Sequence, residues 1–384
     1  MKKLFVCSEF YAGLLPFAAT IVNAMRADDT YGIFMCTSKC DYRRAIVPNG
    51  DNYRFLDFPE GRVAGLMRSI YPGPLLKGIT EVCKKHNIEV IHLLTEDASL
   101  ALHINQLKKL AKVYYTVHDL FFHEKVYKNA LSWLLRTVLV KKRVRYLIKH
   151  TDNLVTSSRY QYDWMKREFL NQSIHYHNFP TLVTDVIKSG NKAVPELAGI
   201  DQYILFFGQV EQYKGVEKLY NAYIADTSGV SKRPLVIAGK GFIYFERNTE
   251  KEGNVTFINR YIDDEEIRQL FKNAFCVVFP YISGTQSGIL SIPYYFGVPS
   301  LVSDIPFFKE LMIENVTSIS FDNNDPAALM QKFRDLENTD VQKITDAGAK
   351  YYREVYDEQA LRKQLTAAYN EEPAFEHEVQ VQLK

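Results

Sequence analysis

Cysteine is scarce in this chain and poorly placed for chemistry. The five thiols, Cys7, Cys36, Cys40, Cys83 and Cys276, are odd in number and scattered, so no disulfide framework is expected and a reducing, cytoplasmic setting is. The closest pair, in CTSKC, has no second Cys or His pair at zinc spacing nearby, so buried thiols are expected and a metal ion is not. Long apolar runs are missing too: none approaches the ~20 residues that a membrane-spanning helix requires. Charge of one sign is not in excess. The 47 Lys and Arg against 45 Asp and Glu leave +2, a balance that gives no reason to expect nucleic acid as a partner. Nor is there a short repeat or a low-complexity tract.

What the chain does hold is core-forming material. Of its 384 residues 47% are hydrophobic, 13% aromatic and 24% charged. That is a globular composition at a length where two α/β domains are expected rather than one. The opening MKKLFVCSEFYAGLLPFAATIVNAM has the basic start of a signal peptide. Glu9 comes early, however, and strand-like KLFVCS runs into helix-like LLPFAATIVNAM, the pattern of a first β–α unit. KLFVCS, YGIFMCT, VIHLLT, VYYTVHD and NLVTSS read as strands separated by amphipathic helical segments, which predicts a parallel, doubly wound sheet. A second series, YILFFGQ, PLVIAG, VTFINRY, CVVFPYI and PSLVSD, follows the loosely structured KSGNKAVPELAGID. The expected fold is α/β with two Rossmann-like, doubly wound domains facing each other across a cleft. The expected division is an N-terminal domain over 1–188, a C-terminal ligand-binding domain over 189–355, and a helix and tail over 356–384 that returns to the first domain.

Ligands of such domains sit beyond the carboxyl ends of the strands. In the second half those loops are GQVEQYKG (208–215), GKGF (239–242), NRYIDD (259–264) and ISGTQSGI (282–289). Each carries glycine, a cation, or both, and glycines with free N–H groups form anion-binding nests, so a phosphate-bearing ligand is the leading expectation. In FPYISGTQSGILSIPYYFGVPSLVSD, Gly284 and Gly288 flank Thr285, Gln286 and Ser287, and Gly297 with Pro299 ends the next helix. The N–H groups of Ser287, Gly288 and Ile289 are placed to meet an anion, with Gln286 supplying an amide. The plainer alternative is a tight strand-to-helix turn with Ser287 as its N-cap.

Taken in order, ILFFGQVEQYKGVEKLYNAY, LVIAGKG, NVTFINRYIDDEEIRQLFKNA and CVVFPYISGTQSGILSIPYYFGVPSLVSD resemble the C-terminal domain of glycosyltransferase family 4, the group 1 retaining enzymes of GT-B fold. VYYTVHDLF and TDNLVTSS match the first half more weakly. The resemblance implies transfer of a sugar from a nucleoside-diphosphate sugar to a hydroxyl acceptor with retention at the anomeric carbon, and neither bound metal nor cofactor. It also implies roles. Gly208 and Lys214 belong to the loop that holds the diphosphate; the family's arginine after that glycine is Gln209 here, so the grip is expected to be weaker or to be shared with Lys240 or Arg260. Tyr261 and Ile262 border the nucleobase, Gln286 and Glu310 hold sugar hydroxyls, and His118, beside Asp119, orients donor and acceptor. Gly13, with Glu9 and Tyr11, lies in a loop that closes over the donor. Many relatives carry two glutamates where this chain has Gly284 and Ile292, so an altered donor preference is expected. A subset with TQSG at this place also lacks the first of them.

The stretch KVYKNALSWLLRTVLVKKRVRYLIKHT (125–151) contains no acidic residue. Leu131, Leu134, Leu135, Val138, Val144, Leu147 and Ile148 recur near helical spacing, with Lys141, Arg145 and Lys149 four apart on another face. Either this is a core-packed helix with a solvated basic face, or it attracts anionic headgroups and a lipid-linked acceptor at the inner face of a membrane. DDEE at 263–266 reads as the first turn of a helix. The expected activity is sugar transfer to a saccharide or lipid-linked acceptor in polysaccharide or glycoconjugate assembly. A non-catalytic nucleotide-sugar-binding subunit, or a nucleotide-sugar epimerase or hydrolase, is the alternative.

Overall fold

A computed structural model describes residues 1–8, 14–36, 45–57, 67, 71–95, 98–118, 120, 137, 141–226, 233–248, 250, 252–284 and 286–372. Two compact units divide the described chain: residues 1–180 together with the helix that begins at Glu358, and Thr181–Asp357.

The first unit is built on seven parallel strands. They are β1 (Lys3–Cys7), β2 (Thr30–Cys36), β3 (Tyr53–Asp57), β4 (Val90–Leu93), β5 (Lys112–Thr116), β6 (Asn153–Thr156) and β7 (Ser173–Tyr176), in the order β3-β2-β1-β4-β5-β6-β7. The five apolar runs of the first half are all strands, because both faces of a parallel sheet are covered and every position can be apolar. The helix Glu358–Tyr369 packs within this unit against the helix Leu14–Ala24. It is fastened by polar bonds as well as by apolar burial. Tyr369 Oη pairs with His92 Nδ1 at 2.7 Å, and the backbone N–H of Asn178 donates to Gln364 Oε1 at 2.8 Å.

The second unit carries six parallel strands: β8 (Tyr203–Phe207), β9 (Leu235–Ala238), β10 (Val255–Ile258), β11 (Ala274–Phe279), β12 (Ser300–Ser303) and β13 (Ile319–Phe321). Their order is β10-β9-β8-β11-β12-β13. Strand order therefore reverses between β8 and β11. The segment expected to be loosely structured, 189–201, is anchored: Val194 and Leu197 are buried in this unit's core beside Val183 and Ile187. DDEE does open a helix, Asp264–Lys272. The Asp263 N–H donates to Glu266 Oε2 at 2.9 Å, one arm of a capping box.

Of the basic stretch, Thr137 and residues 141–151 are described. In the helix Lys142–His150, Val144, Leu147 and Ile148 are buried in the first unit's core, while Arg145 and Lys149 are exposed. The apolar stripe is thus spent on the core over this part; Leu131, Leu134, Leu135 and Val138 lie outside the described residues. No helix among the described residues is long and apolar enough to cross a membrane.

Candidate functional site

The β8/β11 reversal is where ligands of open α/β sheets bind, beyond the strands' carboxyl ends, and here three loops interlock. Gly208 follows β8 with φ of +140°, and Gly239 follows β9 with φ of +143°; a Cβ on Gly239 would stand 1.9 Å from the Gly208 carbonyl oxygen. Glycine alone fits that crossing. The 208–215 loop then turns back through Gly215, φ +64°, whose absent Cβ would lie 1.9 Å from the Pro280 carbonyl oxygen after β11. The Ile282 N–H closes the junction by donating to the Tyr213 carbonyl at 2.7 Å.

Lys214 is held at this junction. Its Nζ lies 2.9 Å from the point where a Cβ on Gly208 would be, and 5.9 and 5.4 Å from the ring centroids of Tyr213 and Tyr281. The residue is partly exposed. Burial pulls its pKa down to about 8, with Glu211 opposing. No hydrogen bond or ion pair engages this ammonium among the described residues. A desolvated cation without its own anion gains most when an anion arrives.

The turn carrying TQSG is partly as expected. Thr285 lies outside the described residues, and Gln286 is partly buried. The N–H groups of Ser287 and Gly288 make no hydrogen bond among the described residues, but that of Ile289 donates to Ser287 Oγ at 3.2 Å. Ile289 therefore leaves the expected trio of free donors. Ser287 does not cap the next helix, which runs Ser291–Phe296 with Leu290 at its N-cap and ends at Gly297, φ +67°. Where relatives carry glutamate, the space is filled. A Cβ on Gly284 would come within 2.8 Å of Phe307 Cδ1, and Ile292 is buried in the core. Phe307 opens the helix Pro306–Leu311, which carries the partly buried Glu310.

Arg260 is engaged within the second unit. Its guanidinium forks onto Glu196 at 2.8 and 3.0 Å and onto Glu266 at 2.8 and 2.9 Å, so its charge is already matched. Lys240 is exposed on the β9 loop. Tyr261, 51% exposed, and buried Ile262 follow β10, two strands from β8. The structure thus brings Gly208, Lys214 and the start of the 280–289 loop together and places Tyr261 and Ile262 at the sheet edge.

In the first unit His118 follows β5 and is buried. Its Nε2 donates to the Leu94 carbonyl at 2.7 Å, its ring packs edge-on against Phe17, and its own carbonyl accepts from Gln161 Nε2 at 3.1 Å. The carbonyl partner fixes the Nε2–H tautomer. Gly13, Glu9, Tyr11 and Asp119 lie outside the described residues. Two residues at the junction escaped the sequence reading, Tyr281 and Phe307. Tyr281 was within reach, since a tyrosine just beyond the strand at a switch point lies on the ligand side; Phe307 acts from a distant segment.

Residues 189–355 match the profile of the family described as glycosyl transferases, group 1. No curated protein matches the sequence. Among solved structures, a sucrose-phosphate synthase from Thermosynechococcus elongatus is similar at TM-score 0.69 and 14% identity, over 97% of this chain and 99% of that one. HepE of Anabaena in complex with UDP-glucose is similar at 0.66 and 12%, over 97% and 100%. A lipopolysaccharide outer core galactosyltransferase, WaaB, is similar at 0.62 and 14%, over 97% and 99%. With two parallel sheets of seven and six strands the chain has the GT-B fold, and its residues 189–355 match the group 1 glycosyl transferases.

Proposed function

We propose that the chain is a retaining glycosyltransferase that moves a sugar from a nucleoside-diphosphate sugar to a hydroxyl acceptor, saccharide or lipid-linked. The observation that carries this is Lys214, whose ammonium has no hydrogen bond or ion pair among the described residues and lies at the β8/β11 switch point beside glycine turns that let a ligand approach the backbone. When the bond between sugar and diphosphate breaks, negative charge grows on the leaving group, and a preorganised cation with the N–H groups of Ser287 and Gly288 stabilises it at little reorganisation cost. Gln286 and Glu310 are assigned to the sugar hydroxyls, Tyr261 and Ile262 to the base, and His118 to orienting donor and acceptor. Because Phe307 and Ile292 fill the places of the family's glutamates, the donor preference differs from that of relatives that carry them. HepE, of the same fold, is known in complexes with UDP and UDP-glucose, which makes uridine nucleotides the first donors to try.

The filled glutamate positions also favour a second reading, a non-catalytic donor-binding subunit. A panel of nucleotide-sugars is screened for thermal stabilisation, which ligand binding to the folded state produces. The stabilising donor is then incubated with saccharide and lipid-linked acceptors. Transfer with retained configuration supports the proposal, stabilisation without transfer to any acceptor supports the binding subunit, and nucleotide release that needs no acceptor points to an epimerase or hydrolase.

A further inference from the structure

Tyr281 is the second residue after β11, and its position is fixed from several sides. Its carbonyl accepts from Ser303 Oγ at 2.6 Å and from Asn323 Nδ2 at 3.1 Å. Its ring packs against Phe308 at 5.2 Å and Phe279 at 5.9 Å between centroids. The residue is 3% exposed. Its hydroxyl lies 3.9 Å from the point where a Cβ on Gly208 would sit, and Lys214 Nζ lies 2.9 Å from that same point. Ammonium and hydroxyl therefore converge on one place above the Gly208 backbone. The hydroxyl makes no hydrogen bond among the described residues. Burial holds the phenol well above its ordinary range, so it keeps its proton and remains a donor.

A hydroxyl fixed in place beside a cation is a ready donor for an incoming acceptor. The groups converging here are a cation and an O–H donor, and Glu211, whose carboxylate acts on Lys214, is an exposed residue. An oxyanion suits that set, and a neutral or cationic group does not. We infer that Tyr281 is a phosphate-binding residue of this site, its hydroxyl donating to an oxygen of the same diphosphate that Lys214 neutralises. The inference rests on the reading of Lys214 given under Proposed function.

Inorganic pyrophosphate and uridine diphosphate serve as probes in titration calorimetry, the first because it is independent of the base. Tyr281→Phe keeps the ring and removes only the hydroxyl, Tyr281→Leu removes both, and Lys214→Met removes the charge. The expected result is about tenfold weaker binding of both probes to Tyr281→Phe, with Tyr281→Leu no better and Lys214→Met at least as weak. If Tyr281→Phe binds like the unsubstituted protein and only Tyr281→Leu and Lys214→Met are impaired, the ring acts by packing alone, and the inference is wrong while the reading of Lys214 stands. Unchanged binding by Lys214→Met overturns both.

Discussion

Replacing Gly215 by alanine separates the close approach of two loops from the strain of a left-handed backbone. Gly215 and Gly297 have nearly the same φ, +64° and +67°, so each alanine incurs the same left-handed penalty of about 1–2 kcal/mol. Their surroundings differ. Nothing lies within 4 Å of a Cβ at 297, whereas one at 215 would be 1.9 Å from the Pro280 carbonyl oxygen. Main-chain atoms must then move apart, adding a further cost of about 1–3 kcal/mol, the range for overpacking. The movement also pulls the Lys214 loop away from β11, so diphosphate affinity falls together with stability. Urea unfolding of both variants, with uridine diphosphate titrated into each, checks this. Gly215→Ala should lower the midpoint well beyond Gly297→Ala and bind more weakly, and Gly297→Ala should bind normally. Equal midpoints and equal affinities would refute the claim that the two loops are locked at this glycine.

Other expectations follow from charge placement. Lys214 has its folded-state pKa pulled down to about 8; a bound diphosphate raises it again, so binding near pH 8–9 should take up protons, seen by calorimetry in buffers of different ionisation enthalpy. Without ligand the same shift makes the unfolded chain the better proton binder between about pH 8 and the ordinary lysine pKa, and stability should rise across that window. Arg260→Met leaves Glu266, whose side chain is 1% exposed, without its partner; a loss of about 2–3 kcal/mol is expected in denaturant unfolding, less than for a fully buried pair because the arginine is partly solvated, with diphosphate affinity unchanged. His175 and His177 are held near pKa 4 by burial. The unfolded chain therefore binds more protons below the ordinary histidine value, and the first unit should lose stability as pH falls from about 6.5 to about 4, followed by thermal melting across that range.

The central strands were legible because burial on both faces leaves long apolar runs, and all ten runs read as strands are strands in the structure. The three that escaped are β3, β7 and β13, each at a sheet edge. YRFLD and SIHY mix charge and polarity into partly solvated positions, and ISF is only three residues. At the site, glycines and cations in loop sequences marked the ligand side, since the backbone constraint and the residue type coincide. What the sequence could not show is which cation is already matched. Arg260 and Lys214 look equally available on paper, but Glu196, 64 residues away, claims the first, and nothing among the described residues claims the second. The same holds for Gly284, where the bar to a carboxylate is a Phe307 ring from another helix.

A crystal structure of the protein with bound uridine diphosphate, or with whichever nucleoside diphosphate stabilises it most, is the most direct measurement. A diphosphate oxygen is expected within about 2.7–3.2 Å of Lys214 Nζ, the range of a hydrogen bond, above Gly208 at the ends of β8 and β11. A nucleotide bound elsewhere, with the Lys214 ammonium still unpaired, would contradict the assignment of this junction as the donor site.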